Sequence, residues 1–216
     1  MTAAAIGILG GTFDPVHFGH LRPALDVLQQ LKLDHIRLIP NNTPPHRPAP
    51  VASAQQRMLM LHLAVKNSEH FVVDDRELQR DGVSYMVDTL RSLREEFQQN
   101  PLYLLLGTDA FLGIESWYHW QQLLDFAHIV IMQRPHEVLS LNSTLADWYQ
   151  AHLAKDSDST LQAGKLWPVD VTQLAISSTE IRTQYGAGQS IQFLLPDSVI
   201  QVIEQLGLYK DNHIDG

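Results

Sequence analysis

Two histidines three residues apart, His17 and His20, stand in a stretch with the makings of an anion site: Gly10-Gly11-Thr12-Phe13-Asp14-Pro15-Val16-His17-Phe18-Gly19-His20. Consecutive glycines permit positive φ and let backbone come close to a ligand. Asp14-Pro15 forces a turn, and a helix is expected to open near Gly19. The first amides of a helix have no partner within it, and the helix dipole favours negative charge there. Imidazole N–H groups at that point can donate to phosphate oxygens and stabilise charge on a phosphoryl group in transfer. With no GxGxxG and no GK[ST], the segment is neither the dinucleotide fingerprint nor a P-loop. Two plainer readings compete: solvent-facing histidines, or a metal held by Asp14, His17 and His20. Neither explains why the glycine pair, the Asp-Pro turn and Gly19 arrive together.

A second set, Ile176-Ser177-Ser178-Thr179-Glu180-Ile181-Arg182, carries the marks of another helix start. Ser177 and Glu180 have capping-box spacing. Ser178 and Arg182 share a face, and helical side chains lean toward the N-terminus, so Arg182 can reach an anion resting on that start beside the hydroxyls of Ser178 and Thr179. Two such starts suit a triphosphate.

The elements that must position these residues follow from periodicity. Strand-length apolar runs (Ala4–Leu9, His35–Ile39, Phe71–Asp74, Leu102–Leu106, His128–Met132, Lys165–Val169) alternate with helix-length stretches at Leu21–Leu33, Ser53–Val65, Tyr85–Phe97, Leu145–Leu153, Ser178–Tyr185 and Asp197–Leu206. That alternation is the pattern of a parallel sheet. It predicts an α/β fold, a Rossmann-like doubly wound parallel sheet with helices on both faces and a small C-terminal helical portion. Residues 1–209 are expected to form one domain and 210–216 a polar tail. Four prolines between Pro44 and Pro50 make Asn41–Ala52 a loop. The Ser/Asp-rich patch Asp156–Thr160 reads as a surface turn, and no function is assigned to His136–Lys165. In such sheets ligands sit beyond the carboxyl ends of the strands, where the unusual residues gather.

Composition narrows the class. The chain has 216 residues, 44% of them hydrophobic, so its core needs no disulfide or structural metal. It has no cysteine, which fits a cytoplasmic location. No leading basic segment precedes the first strand and no apolar run is long enough to span a bilayer, so neither export nor a membrane partner is expected. A formal charge of −9 argues against nucleic acid and requires a local cation cluster around any anionic ligand.

The eleven residues Gly10–His20 resemble the (H/T)xGH motif of the nucleotidylyltransferase superfamily, and in their longer form, GGTFDPVHxGH, that of bacterial nicotinate mononucleotide adenylyltransferases. ISSTxIR at Ile176–Arg182 resembles the family's second signature, and the resemblance runs through nearly all of Ile6–Tyr209. It implies a fold and an activity: transfer of AMP from ATP to nicotinate mononucleotide, with Mg²⁺ carried mainly on the ATP phosphates and no metal site of the protein's own. It implies catalytic roles for His17, His20 and Arg182. ATP would be held by Gly10, Gly11, Thr12, Phe13, His17, Gly19, His20, the Gly107-Thr108-Asp109 turn, Ile176, Ser177, Ser178, Thr179 and Arg182. The acceptor would meet Asn41, His46 and Arg47 in a loop that closes over both substrates, Ser84, Tyr85 and Met86 with Trp117 and Tyr118 around the pyridine ring, and Arg134 at its phosphate. Relatives commonly carry Lys at position 47 and Thr at position 86; the second departure leaves open whether a hydroxyl or the main chain reads the acid. Rival readings are a sister enzyme acting on nicotinamide mononucleotide or phosphopantetheine, and a non-catalytic nucleotide sensor.

Overall fold

The structure is a computed structural model and describes residues 3–42, 49–80, 82–135, 139–155, 158 and 161–210. Six strands, β1 (Ile6–Gly11), β2 (His35–Pro40), β3 (Phe71–Val73), β4 (Leu102–Gly107), β5 (His128–Gln133) and β6 (Leu166–Asp170), form one sheet. Its order is β3-β2-β1-β4-β5-β6, and every neighbouring pair is parallel. The order reverses between β1 and β4, where Ile6 faces His35 on one side and Leu102 on the other. Chains leaving those two strands diverge and leave a crevice at their carboxyl ends.

Alternation along the strands feeds two cores, as expected of a sheet covered on both faces. Leu9, Leu38, Tyr103, Leu105 and Val130 pack on one face against the helices α1 (Phe18–Gln30), α2 (Ala54–Val65), α7 (Ser178–Gly186) and α8 (Asp197–Gln205). Ile8, Ile39, Leu104, Leu106, Ile129 and Ile131 pack on the other against α3 (Met86–Glu96), α4 (Thr108–Leu112), α5 (Leu123–Phe126) and α6 (Ser143–His152). Burying each such side chain contributes about 1.5–3 kcal/mol, so the strand ends are held by the sheet rather than by the turns they carry.

The predicted elements stand within about three residues of those observed. Helix α1 is the largest shift: it opens at Phe18, three residues before the apolar face that announced it at Leu21. Between β4 and β5 lie α4, two short 3₁₀ turns (Ile114–Ser116 and Trp120–Gln122) and α5, none of which the periodicity had indicated. The capping box at Ser53 forms in full, with Ser53 N–H donated to Gln56 Oε1 at 2.8 Å and Gln56 N–H to Ser53 Oγ at 3.3 Å. The one expected at Ser177 forms by half. Glu180 N–H reaches Ser177 Oγ at 3.1 Å, while the Glu180 carboxylate accepts from Gln184.

Candidate active site

β1 delivers Gly10 and Gly11 to the crevice, and the chain then turns through Phe13 (φ 51°) and the cis Asp14–Pro15 bond into α1. The positive φ thus falls on Phe13 and not on the glycines, whose use is room. A Cβ on Gly10 would come within 2.6 Å of the Met86 methyl, and one on Gly11 within 3.1 Å of the Phe13 ring. Phe13 is buried, edge-on to His20 at 5.1 Å, so it props the histidine from below.

His17 and His20 are stacked, ring centroids 3.7 Å apart, and neither is a solvated surface histidine. His17 is 4% exposed, and burial takes its pKa from 6.5 to about 4. His20 is also pushed well down, by desolvation and then by His17. Both rings are therefore neutral near pH 7 and act as hydrogen-bonding groups rather than cations. His17 N–H lies 3.3 Å from His20 Nδ1, which makes Nδ1 the acceptor and leaves the ring proton of His20 on Nε2. Among the described residues, His17 Nδ1 is buried without a partner, as is Asn41 Oδ1 at the end of β2.

The metal reading fails on Asp14. Its carboxylate already accepts Val51 N–H at 2.7 Å, Ala52 N–H at 3.1 Å and the Tyr209 hydroxyl at 2.6 Å. Among the described residues no three His, Asp or Glu side chains are arranged around a metal position. The α1 start also offers fewer amides than its sequence suggests. Phe18 N–H is donated to Leu194 O and His20 N–H to His17 O, so the imidazoles carry more of any anion binding there than the backbone does.

Helix α7 meets this turn directly. Ser178 Oγ donates to Pro15 O at 2.9 Å, and Arg182 Nη1 donates to Asp14 O at 2.7 Å with Nη2 near Thr179 Oγ1. Gly19 is the contact point. A Cβ there would stand 2.9 Å from both Ile176 O and the His17 ring. The two helix starts, some 160 residues apart in sequence, are in van der Waals contact.

A cavity of about 490 Å³ opens in front of them. Gly10, Gly11, Thr12, Gly19, His20 and Gly107 line one side, and Asn41, Ser84, Tyr85, Met86, Trp117 and Tyr118 the other. The Tyr85 and Tyr118 rings lie 4.6 Å apart; Trp117 is half-buried and Tyr118 is 52% exposed. Helix α3 begins at Met86 with no side-chain cap from Tyr85.

Not every expected residue is at this cavity. Phe13 and His17 lie beneath it, Ile176–Arg182 flank the turn from behind, and Asp109 points from α4 into solvent. Arg134 departs most. It follows β5 into a separate open cleft of about 510 Å³, where its Nε donates to Gln173 at 3.0 Å with Asp26 and Asp170 nearby. His46 and Arg47 lie outside the described residues, as does the tail beyond Lys210.

Sequence reasoning missed Arg57. This guanidinium, 1% exposed, donates to Thr12 O at 2.8 Å and Asn41 O at 2.9 Å and ties the ends of β1 and β2 together below the cavity. A lone Arg in the run Gln56-Arg57-Met58 on an otherwise apolar helix face was the available signal. Tyr209 was missed for want of any local cue, its partner Asp14 being far away in sequence.

A glycine-lined strand end, paired imidazoles and a hydroxyl- and arginine-bearing second helix start thus meet at one turn, and sequence comparison gives the class of protein that carries them. A model of the cytidylyltransferase-like family matches residues 8–184, and the chain belongs to that family. It is a nucleotidyltransferase. A relative from Aeromonas salmonicida named "Probable nicotinate-nucleotide adenylyltransferase" is 46% identical, covering 97% of this chain and 99% of its own. One of the same name from Pseudomonas aeruginosa is 45% identical over 96% of this chain and 98% of its own. The branch is therefore that of the nicotinate-nucleotide adenylyltransferases. Among solved structures, the Plasmodium falciparum nicotinic acid mononucleotide adenylyltransferase complexed with NaAD shares the fold, with TM-score 0.70 at 19% identity over 95% of this chain and 97% of that one. Among the described residues no helix is long and apolar enough to cross a membrane.

Proposed function

We propose that this chain transfers the adenylyl group of ATP to nicotinate mononucleotide, giving nicotinate adenine dinucleotide and pyrophosphate. The observation that carries the reading is the seating of Ser178 and Arg182 on the Asp14–Pro15 turn beside Gly19. It brings a second helix start against the turn that carries His20, and His20 lines a cavity whose other wall is aromatic.

The acceptor's phosphate is largely ionised at pH 7, its second pKa being about 6, so no general base is required. One of its oxygens attacks the α-phosphorus of ATP. The bond from that phosphorus to the oxygen shared with the β-phosphate breaks, and pyrophosphate departs with the electron pair. The protein's part is positioning and charge stabilisation. We assign His20 Nε2–H to the α-phosphate in the transition state, and His17, whose Nδ1 has no partner among the described residues, to the triphosphate. Arg182 and the Thr179 hydroxyl take the leaving pyrophosphate, joined by Ser178 once its hydroxyl leaves Pro15 O. ATP enters as its magnesium complex, the metal held by the phosphates and water. Asp14 takes no part in binding it, because three protein donors fill its carboxylate.

On the acceptor side, Trp117, Tyr85 and Tyr118 receive the pyridine ring. The Met86 methyl lies over Gly10, so its side chain fills space and the uncapped start of α3 reads the carboxylate through main-chain N–H groups. Arg134 would have to leave Gln173 to reach the acceptor phosphate. The cysteine-free composition suits the reducing cytoplasm, where we place the reaction. Incubation with ATP, Mg²⁺ and a panel of nicotinate mononucleotide, nicotinamide mononucleotide and phosphopantetheine tests the reading through pyrophosphate release. Release with nicotinate mononucleotide in large excess over the others is expected, and preference for another acceptor refutes the assignment.

A further inference from the structure

Glu77 is a buried carboxyl in the wall of the acceptor side of the cavity, 3% exposed, on the segment that joins β3 to α3. A carboxyl group taken out of water needs donors. Glu77 takes them from the segment proposed to bind the acceptor. Thr89, fully buried in the second turn of α3, donates its hydroxyl to Glu77 Oε1 at 2.6 Å. The Ser84 hydroxyl faces the same carboxyl and favours its charged form. Neither hydroxyl ends there. Thr89 Oγ1 accepts from Arg80 Nη2 at 2.7 Å, and Ser84 Oγ accepts from Asn42 N–H at 3.2 Å. Asn42 in turn donates its side-chain amide to Arg80 O at 3.1 Å.

These bonds run around the Tyr85–Met86 corner: Asn42 after β2, Ser84 before the corner, Thr89 after it, and Glu77 with Arg80 beneath. The Thr89 hydroxyl has one proton, and while it accepts from Arg80 it gives that proton to Glu77. Desolvation pushes the Glu77 pKa upward, and the two hydroxyls oppose that. The residue's position, not its titration, is what matters to the corner.

We propose that Glu77 is a positioning residue for the acceptor: by receiving Thr89 and facing Ser84 it fixes the open start of α3 against Trp117 and Tyr118, and so sets acceptor affinity without touching ATP. The inference rests on the assignment of this wall to the acceptor. It is tested with purified full-length protein by measuring pyrophosphate release while nicotinate mononucleotide and ATP are varied separately, for wild type, Glu77→Ala, Glu77→Gln and Ser84→Ala. Loss of a charge-assisted bond to a buried group predicts that Glu77→Ala raises the acceptor KM about tenfold. The ATP KM should stay within about twofold. Glu77→Gln keeps an Oε1 acceptor and should recover most of the loss. Ser84→Ala, which leaves Glu77 in place, should show the same asymmetry in smaller measure. Equal rises in both KM values, or a lowered unfolding midpoint with both KM values unmoved, overturn the proposal; should Glu77→Ala not fold, Glu77→Gln and Ser84→Ala decide it by the same criterion. A wild-type protein that releases no pyrophosphate with nicotinate mononucleotide overturns the acceptor assignment itself, and this inference with it, before any variant is compared.

Discussion

Acidification from about pH 7.5 to about pH 5 should weaken this fold through His17, by an amount the structure allows one to work out. In the folded chain burial holds the ring at about 4, against 6.5 for an ordinary histidine. As pH falls below 6.5, the unfolded chain takes up a proton that the folded chain refuses, so stability is lost on the acid side and is fully present above it. At about pH 5 the loss amounts to about 2 kcal/mol, and by the time the pH is well under the folded value of about 4 it approaches about 3 kcal/mol. His20 adds in the same direction. Against a domain stability of about 5–15 kcal/mol this is a readily measured fraction. Urea unfolding of wild type and His17→Gln at the two pH values provides the assay, since the variant lacks the titrating ring. The variant should lose about 2 kcal/mol less than wild type over that interval. Parallel losses in the two proteins would show that His17 is solvated and ordinary, and the neutral, ligand-ready ring on which the site depends would be gone.

Three further outcomes follow from named contacts. His20→Ala should lower kcat about 10²–10³-fold while ATP affinity changes little, as for removal of one preorganised donor; comparable losses in both would make it a binding residue. Trp117→Ala should weaken nicotinate mononucleotide more than ATP in direct binding titrations, whereas equal weakening would mark it as core. Gly19→Ala places a methyl 2.9 Å from Ile176 O, a backbone atom that cannot turn aside. Overpacking of this kind costs about 1–3 kcal/mol. Because the strain acts between the two helix starts, kcat/KM for ATP should fall more than a stability loss alone explains, as read from activity at temperatures below the unfolding transition.

The sheet was legible because each strand is a short apolar run closed by a turn residue, and a parallel strand buried on both faces permits little else at those positions. Leu102–Leu106 and His128–Met132 needed only one residue each to match β4 and β5. The stretch 108–126 was not legible because its helices are too short to show a period. Among the site residues, His17, His20, Ser178 and Arg182 could be read because local spacing carries their chemistry. Their meeting at Gly19 could not be read, since it depends on the Leu194 carbonyl that holds Phe18 N–H and on Ile176 packing against Gly19, both far away in sequence. Arg57 and Tyr209 fall in the same class: each is satisfied by groups distant in sequence, at Thr12 and Asn41 and at Asp14. Arg134 shows the converse. Its type and place at a strand end suggested an acceptor ligand, and its bond to Gln173, just past the adjacent strand β6, could not be read from them.

The Tyr209 hydroxyl reaches Asp14 from 195 positions downstream. A ribosome adds the tyrosine 195 residues after the aspartate. Through that interval the growing polypeptide has every imidazole and glycine of the turn and lacks the hydroxyl that Asp14 accepts. Half-made copies should be poor at sequestering ATP, and a protease that nicks the last helix should silence the enzyme without coming near its reacting atoms.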